Sequence, residues 1–415
     1  MDIKTKYHYT YFLNPFVIDD EKYEKFLCKF VKDKKWNLRI FDKITDMEIF
    51  THFLTGAKEV MFPSFYWTDK YKDKIKNLKG KALAKELAKQ SAVEFVYDIN
   101  DFHTVQGKID SNNQIFFEIK EIKIICFNSG ICFLSFKTVI TDDDYISFRD
   151  LLNFNHKFKE LSSSYAQFKG KDNIYIQSSQ FENLSYISEF IESITSGYIS
   201  LNNDDIYSDK MFAYGYACID ETDWNSENSF EDIKDNFYKY VFQFSGDYDS
   251  EIELSEKEKQ DVIYSKWKYS KYGFTKLGGV VFCSATDHFN FTKLPIHYEK
   301  VSFYIMLLAF YERIALIMLN TELTSPNTQN TTKLLNKISQ ELIYNRFTQI
   351  SNSEHGMALW KNWEKAFELN ELYDELDQEY TRWMSQKNNR KKDLLLLLSI
   401  FIQLCIYLIL LGYIK

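Results

Sequence analysis

Hydrophobic positions follow three rhythms along this chain. Through residue 296 they come mostly as short alternating runs, the period of a strand, separated by polar turns and a few helical stretches. Lys6 to Phe16 alternates aromatic and polar residues, breaking at Asn14-Pro15, and Asp19-Asp20 then offers an N-cap for a helix over Glu21 to Lys32. Leu38 to Phe41 reads as a short strand, Lys70 to Gln90 as a Lys-rich solvated helix, and Val93 to Ile99 as a strand again. Ile115 to Phe127 and Ile131 to Ile140 are β-branched, aromatic runs parted by Asn128-Ser129-Gly130. Those three residues tolerate the positive φ of a tight turn, so the two runs predict a hairpin. Tyr145 to Leu161 is the next helix. Lys210 to Asp220 and the helical segment Phe230 to Phe242 echo the opening strand and helix, and Ile263 to Ala285 predicts a second hairpin.

From Tyr298 the rhythm is helical. Val301 to Leu319 is almost wholly apolar, but Glu312-Arg313 sit inside it. A charge at mid-bilayer costs about 2.5 to 3.5 kcal/mol, so this stretch predicts a buried helix of the soluble part, with the two charges near its surface. Ser325-Pro326-Asn327 interrupts the pattern, Lys333 to Ile350 resumes it, and Ser353 caps a long last helix from about Glu354. Leu369, Leu376 and Trp383 recur every seven residues there, flanked by Leu372, Tyr373 and Tyr380, which is coiled-coil-like spacing. It fits a stalk packing against other copies, or a helix packing back on its own domain.

The third rhythm is unbroken hydrophobicity. Leu394 to Ile414 reads LLLLLSIFIQLCIYLILLGYI, and about 20 such residues cross the ~30 Å hydrocarbon core of a bilayer. Lys387, Arg390, Lys391 and Lys392 precede it and Lys415 alone follows, so the positive-inside bias places the N-terminal part in the cytoplasm. The first residues show no signal-peptide pattern, so the expectation is a tail-anchored, single-pass protein of the cell inner membrane. Within the span Ser399, Gln403 and Tyr407 follow at steps of four and form one polar stripe, the candidate pore lining of an oligomer or the glue between its helices. The fold expected is thus an α+β cytoplasmic domain of two related halves (1–161 and 162–296, with polar stretches at 162–173 and 202–205 that read as loops or a domain seam), a helical stalk region (297–393) and one transmembrane helix (394–414).

Composition adds limits. A net charge of -8 with both signs interspersed argues against direct nucleic-acid binding by bulk electrostatics. The six cysteines never form CxxC and mostly lie in apolar segments, as buried thiols of a reducing compartment do. Asp142, Asp143 and Asp144 start a helix more simply than they hold a metal. GxxxxGK[ST] and HExxH are absent and the seven histidines are scattered, so no catalytic residue, metal ligand or cofactor is assigned and an enzyme is not expected. One stretch carries ligand chemistry: Lys266, Trp267, Lys268, Tyr269, Lys271 and Tyr272 interleave ammonium groups with aromatic faces, as a site for a phosphate-bearing ligand with a stacking base would. The alternative is a half-exposed strand with a solvated Lys face and an aromatic core face.

The α+β domain, then VSFYIMLLAFYERIALIML, then ELYDELDQEYTRWMSQKNNRKK leading into a span, resembles the CorA family of divalent-cation transporters over roughly the last third of the chain. That family is pentameric, with a Gly-Met-Asn motif closing the first of two spans; here Gly412-Tyr413-Ile414-Lys415 stands in that place. With YFLNPFVIDDEKY, IICFNSGICFLSFKT, LLNFNHKF and SKWKYSKYGFTK, the whole chain looks like the divergent CorA-like proteins found with type III CRISPR systems. The resemblance implies a homo-oligomeric membrane effector of antiviral defence, gated by a small nucleotide second messenger such as a conjugate of S-adenosylmethionine with AMP, and acting by membrane permeabilisation. A magnesium or other divalent-cation transporter and a membrane-anchored adaptor remain the alternatives.

Overall fold

The computed structural model describes residues 3–99, 105–109, 114–141, 146–161, 174–178, 181–184, 187–195, 197, 210–248, 252–324 and 346–385. The chain divides into two compact units, Met1–Ile314 with Phe347–Phe367, and Ala315–Arg346 with Glu368–Lys415. The expected span with Ser399, Gln403 and Tyr407, the polar stretches at 162–173 and 202–205, and most of Lys333 to Ile350 lie outside the described residues.

The first unit is built on one mixed sheet carrying helices. Its strands are β1 (Lys4–Val17), β2 (Trp36–Arg39), β3 (Ala92–Tyr97), β4 (Val105–Ile109), β5 (Ile115–Phe127), β6 (Ile131–Thr141) and β7 (Ile146–Ser147). After them come β8 (Ile174–Ser178), β9 (Phe181–Leu184), β10 (Phe212–Ile219), β11 (Ile263–Tyr264), β12 (Ser270–Phe274) and β13 (Gly278–Ser284). β1 is central, antiparallel to β6 on one side and to β10 on the other. Beyond β10 lie β13, which runs parallel to it, then β12 and β11. Beyond β6 lies β5, which pairs through its second half with β3, and so β2, and through its first half with β4, β8 and β9. Strands from both expected halves thus share one hydrogen-bonded sheet.

The hairpin read between Ile115 and Ile140 is present, with two-residue alternation feeding both faces. Gly130 has φ 90°, and a Cβ there would lie 2.2 Å from the Ile18 carbonyl oxygen. The turn is therefore closed against the end of β1 and admits only glycine. Lys70 to Gln90, by contrast, forms two helices, Asp69–Asn77 and Gly80–Leu87, because the chain turns between them at Gly80, whose φ is 55°.

Alternation along β1 separates two cores. Phe12 and Phe16 join Ile122, Ile124, Leu134 and Phe136 beneath the helices Asp20–Lys32, Gly80–Leu87, Phe148–Phe158 and Lys234–Val241. Tyr9, Tyr11 and Leu13 point the other way, toward the long helix Phe303–Thr324, which follows a π-helical turn at Tyr298–Ser302. Aromatic contacts seat that helix on the sheet: Tyr11 on Phe303 (4.8 Å between ring centres), Tyr214 stacked on Tyr298 (4.3 Å) and Phe127 stacked on Tyr311 (4.1 Å). The continuous stretch Leu294–Thr324 is the one helix among the described residues long and apolar enough to cross a membrane, and 83% of its most apolar window is buried in the protein. A helix hydrophobic all round is what such a buried position requires. Arg313 sits half-exposed and donates to the Phe367 carbonyl at 2.7 Å. Glu312, expected near the surface, is instead 1% exposed.

Charges are sealed under the start of this helix. Lys123 of β5 is 4% exposed; its Nζ lies 3.0 Å from Glu121 Oε1 and 4.2 Å from the centre of the Phe303 ring. Burial pushes its pKa down, but the carboxylates of Glu121 and Glu94 outweigh that and hold the ammonium above its ordinary value. Burial raises the Glu94 carboxyl, which accepts from Tyr304 Oη at 2.9 Å, and Lys137 meets Glu299 of the π turn at 2.6 Å.

In the second unit a helix spans 369–385. The single long helix expected from Glu354 is broken, since Glu354–Ala366 ends and Glu368 takes φ 54°, a left-handed stop typical of helix C-termini. Leu369, Tyr373 and Leu376 are buried in the single chain, while Trp383 is half-exposed. Asn320 donates to Glu375 at 3.4 Å and Arg346 lies over Tyr373, so this face is covered without a second copy.

Removing one partner of a buried charge pair costs about 3 to 5 kcal/mol. Lys123→Ala is therefore expected to lower unfolding free energy by that order in chemical denaturation, whereas the exposed Lys76→Ala stays within about 0.5 kcal/mol.

Candidate ligand-binding site

Three histidines from distant parts of the chain meet on the first unit. His52 closes the helix Met47–His52, His297 closes Leu294–His297, and His355 lies in the first turn of Glu354–Ala366. Local pairing brings them together: Leu54 N–H donates to the Ile350 carbonyl at 2.7 Å, Phe53 bridges Ser351, and Ser351 Oγ donates to the His52 carbonyl at 2.8 Å. Ser353 then caps the helix by accepting from Gly356 N–H. A Cβ on Gly356 would come 2.5 Å from His52 Nε2, so glycine lets the helix start approach the imidazole. Ring centres are 5.4 Å apart for His52 and His297, and 6.2 Å for His297 and His355. Glu48, one turn before His52, places Oε1 3.1 Å from His297 Nδ1.

The predicted ligand stretch supplies the adjoining wall, but only in part. Lys266 to Tyr269 form the turn between β11 and β12 rather than a strand. Trp267 meets His355 edge-on at 4.9 Å, Tyr272 does so at 5.4 Å, and Tyr264 stacks on the same ring at 5.9 Å. Lys266 Nζ pairs with the exposed Glu354 Oε2 at 3.0 Å beside these rings. Lys268, Tyr269 and Lys271 are elsewhere. Tyr269 packs on Trp224, Lys268 lies over Tyr269, and Lys271 lies over Phe230 with its Nζ 3.1 Å from Ser265 Oγ. Neighbours on a strand face opposite ways, so Lys271 and Tyr272 cannot serve one pocket. The stretch is therefore divided between the histidine cluster and an ordinary packed face.

His52 and His355 set neutral imidazole against aromatic carbon. Burial, then His297, pushes His52 down to about 4; burial, then His297, His52 and Lys266, pushes His355 down to about 4. His52 Nε2, both ring nitrogens of His355 and the hydroxyl of the 1%-exposed Tyr272 are buried without a hydrogen-bond partner. Buried polar atoms in folded proteins are ordinarily paired, and each one left unpaired costs about 1 to 3 kcal/mol. Four such atoms thus belong to residues that meet in this one cluster of rings. Among the described residues no three His, Cys, Asp or Glu side chains converge as a metal site. The five described cysteines are buried and free.

Sequence reasoning missed the three histidines. The only local trace of them is the one-turn spacing of Glu48 and His52. Compared with known protein families, curated proteins and solved structures, the chain has no match.

A histidine near 6.5 unfolded and about 4 folded favours folding while neutral, so its contribution is complete above pH 6.5 and fades as pH falls toward 4. His8 obeys the same rule, being buried and accepting from Ile140 N–H at 2.9 Å. Its share is roughly 3 kcal/mol, and those of the less buried His52 and His355 are smaller. Urea denaturation is expected to show stability falling steadily from pH 6.5 to pH 4, with a shallower fall in His8→Gln; equal pH dependence in the two proteins would remove His8 from the account.

Proposed function

We propose that this chain is a membrane-anchored sensor whose soluble unit binds a small nucleotide in the histidine and aromatic box, and that it acts as a homo-oligomeric effector at the cell inner membrane. The observation that carries the reading is the unpaired polar edge of His52, His355 and Tyr272 set beside Trp267 and Tyr264. A base would stack on Trp267 and exchange hydrogen bonds with the imidazoles, while Lys266 and the N-terminus of the helix Glu354–Ala366 would attract phosphate. Supporting the membrane part is the uncharged run Leu394 to Ile414 behind a basic flank. The resemblance to CorA-like proteins of type III CRISPR systems supplies the class of ligand, with the S-adenosylmethionine–AMP conjugate as first candidate. Ser399, Gln403 and Tyr407 would line a shared conduit that opens when the ligand binds one arrangement of the oligomer better than another.

Titration of the full chain with that conjugate and with AMP, read by calorimetry and Trp fluorescence, tests the site. His355→Ala and Trp267→Ala should each weaken binding at least tenfold, whereas Lys268→Glu should change it less than about threefold, because Lys268 faces away from the box. Equal loss in Lys268→Glu, or none in the other two, would displace the site. In liposomes bearing the full chain, dye leakage should require the nucleotide and fall in Gln403→Leu; nucleotide-independent magnesium flux would favour a transporter.

A further inference from the structure

The modest net charge of -8 conceals a strong separation along the sheet. Between Asp20 and Gln90 the chain carries 17 Lys and Arg against 11 Asp and Glu, a net +6, whereas between Asp220 and Asp261 it carries 4 Lys against 14 Asp and Glu, a net -10. The basic segment flanks one end of the sheet. Phe30 of the helix Asp20–Lys32 packs on Trp36 of β2 and Phe95 of β3, and its exposed residues Lys25, Lys29 and Lys32 share with Lys81 a cleft of about 640 Å³. Glu24 and Asp33 line the same cleft, which keeps an excess of lysines, and Glu86 nearby is held between Lys74 and Lys89. The acidic segment begins beside the central strand, where Glu221 pairs with Lys6 of β1, and its later described residues flank the opposite end. Phe237 of the helix Lys234–Val241 packs on Phe282 of β13, and Glu256–Val262 runs directly into the edge strand β11. Glu227, Glu231, Asp235 and Glu253 are exposed there. Seven strands separate β11 from β2 by way of β5 and β3, roughly 40 Å at the usual strand spacing.

Opposite charges on opposite ends of one rigid sheet are complementary between copies and cannot meet within one. We propose that the basic helices at the β2 end are an interaction surface for a second copy of this chain, which they engage through its acidic β11 end. Such a contact is heterologous: each copy offers one face of each kind, so repetition closes a ring, or forms a filament where the rotation does not close. Charge complementarity of this kind raises the association rate and fixes register, and salt screens it. Assembly through these faces needs no ligand.

The test uses the full chain in mild detergent without nucleotide, its mass measured by light scattering after size exclusion at 50 and 500 mM salt. Three proteins are compared with the parent: a basic-face variant (Lys25→Glu, Lys29→Glu, Lys32→Glu, Lys81→Glu), an acidic-face variant (Glu227→Lys, Glu231→Lys, Asp235→Lys, Glu253→Lys), and the variant carrying all eight changes. Each single-face variant should fall to a smaller species at 50 mM salt. Their equimolar mixture should form a species larger than either variant alone, since each then meets a complementary face, and the eight-change variant should regain the parental mass by itself. Recovery in mixture and in the eight-change protein excludes misfolding as the cause. Unchanged mass in both single-face variants would overturn the proposal. So would a basic-face variant that keeps its mass but loses binding to phosphatidylglycerol vesicles, which would assign the lysines to lipid headgroups.

Discussion

A lysine ammonium sealed between a β-strand and an apolar helix sets the terms for the first unit. Lys123 cannot stay charged at 4% exposure unless Glu121, Glu94 and the ring faces of Phe303 and Tyr11 surround it. Those groups come from β3, β5, β1 and the long helix, so they are satisfied together only in one register of helix on sheet. Hydrophobic burial alone is nearly indifferent to a helix that is apolar on every side. Here the polar groups supply the direction that apolar packing lacks, with Lys137 and Glu299 fixing the π turn where the helix begins.

From that seat the candidate site follows. His297 ends the short helix just before the π turn, so its position is inherited from the long helix, while His355 is placed through the cap at Ser353 and the ties between 350–351 and 52–54. Trp363, just over two turns along the same helix from His355, lies on Gly279 of β13, where a Cβ would approach within 2.4 Å, and edge-on to Phe274 of β12. The helix, the edge hairpin and the histidines therefore form one packed assembly. Under the proposed reading, a ligand held by Trp267 and His355 would touch both the sheet edge and the start of that helix, and so would couple binding to packing.

Features written in local pattern were legible from the sequence. β1 shows as alternation, the β5–β6 hairpin as Asn128-Ser129-Gly130 between β-branched runs, and burial of the long helix follows from the cost of placing Glu312-Arg313 in lipid. Where a single residue overrides a period, the pattern misleads. Gly80 divides a helix that looks continuous, Glu368 in left-handed conformation stops another, and four residues of an apparent strand form the turn Lys266 to Tyr269. Contacts between distant segments leave no period at all. Lys123 and Lys137 resemble the solvent-facing positions of half-exposed strands, and His297 lies 249 residues from its partner Glu48. Only half of the predicted ligand stretch joined the histidines, because the alternation that made it visible also sends Lys271 and Tyr272 to opposite faces.

Phe303–Thr324 begins as a core helix locked onto the sheet by buried charge, although its composition would suit a membrane. Hydrogen exchange read by mass spectrometry on peptides covering Phe303 to Ile314 tests this most directly, with the full chain compared in detergent and in lipid nanodiscs. The account predicts slow exchange equal in both media and matched to that of β1 and β6, since these elements should open together. Exchange much faster than the sheet, or protection that appears only in lipid, would contradict it.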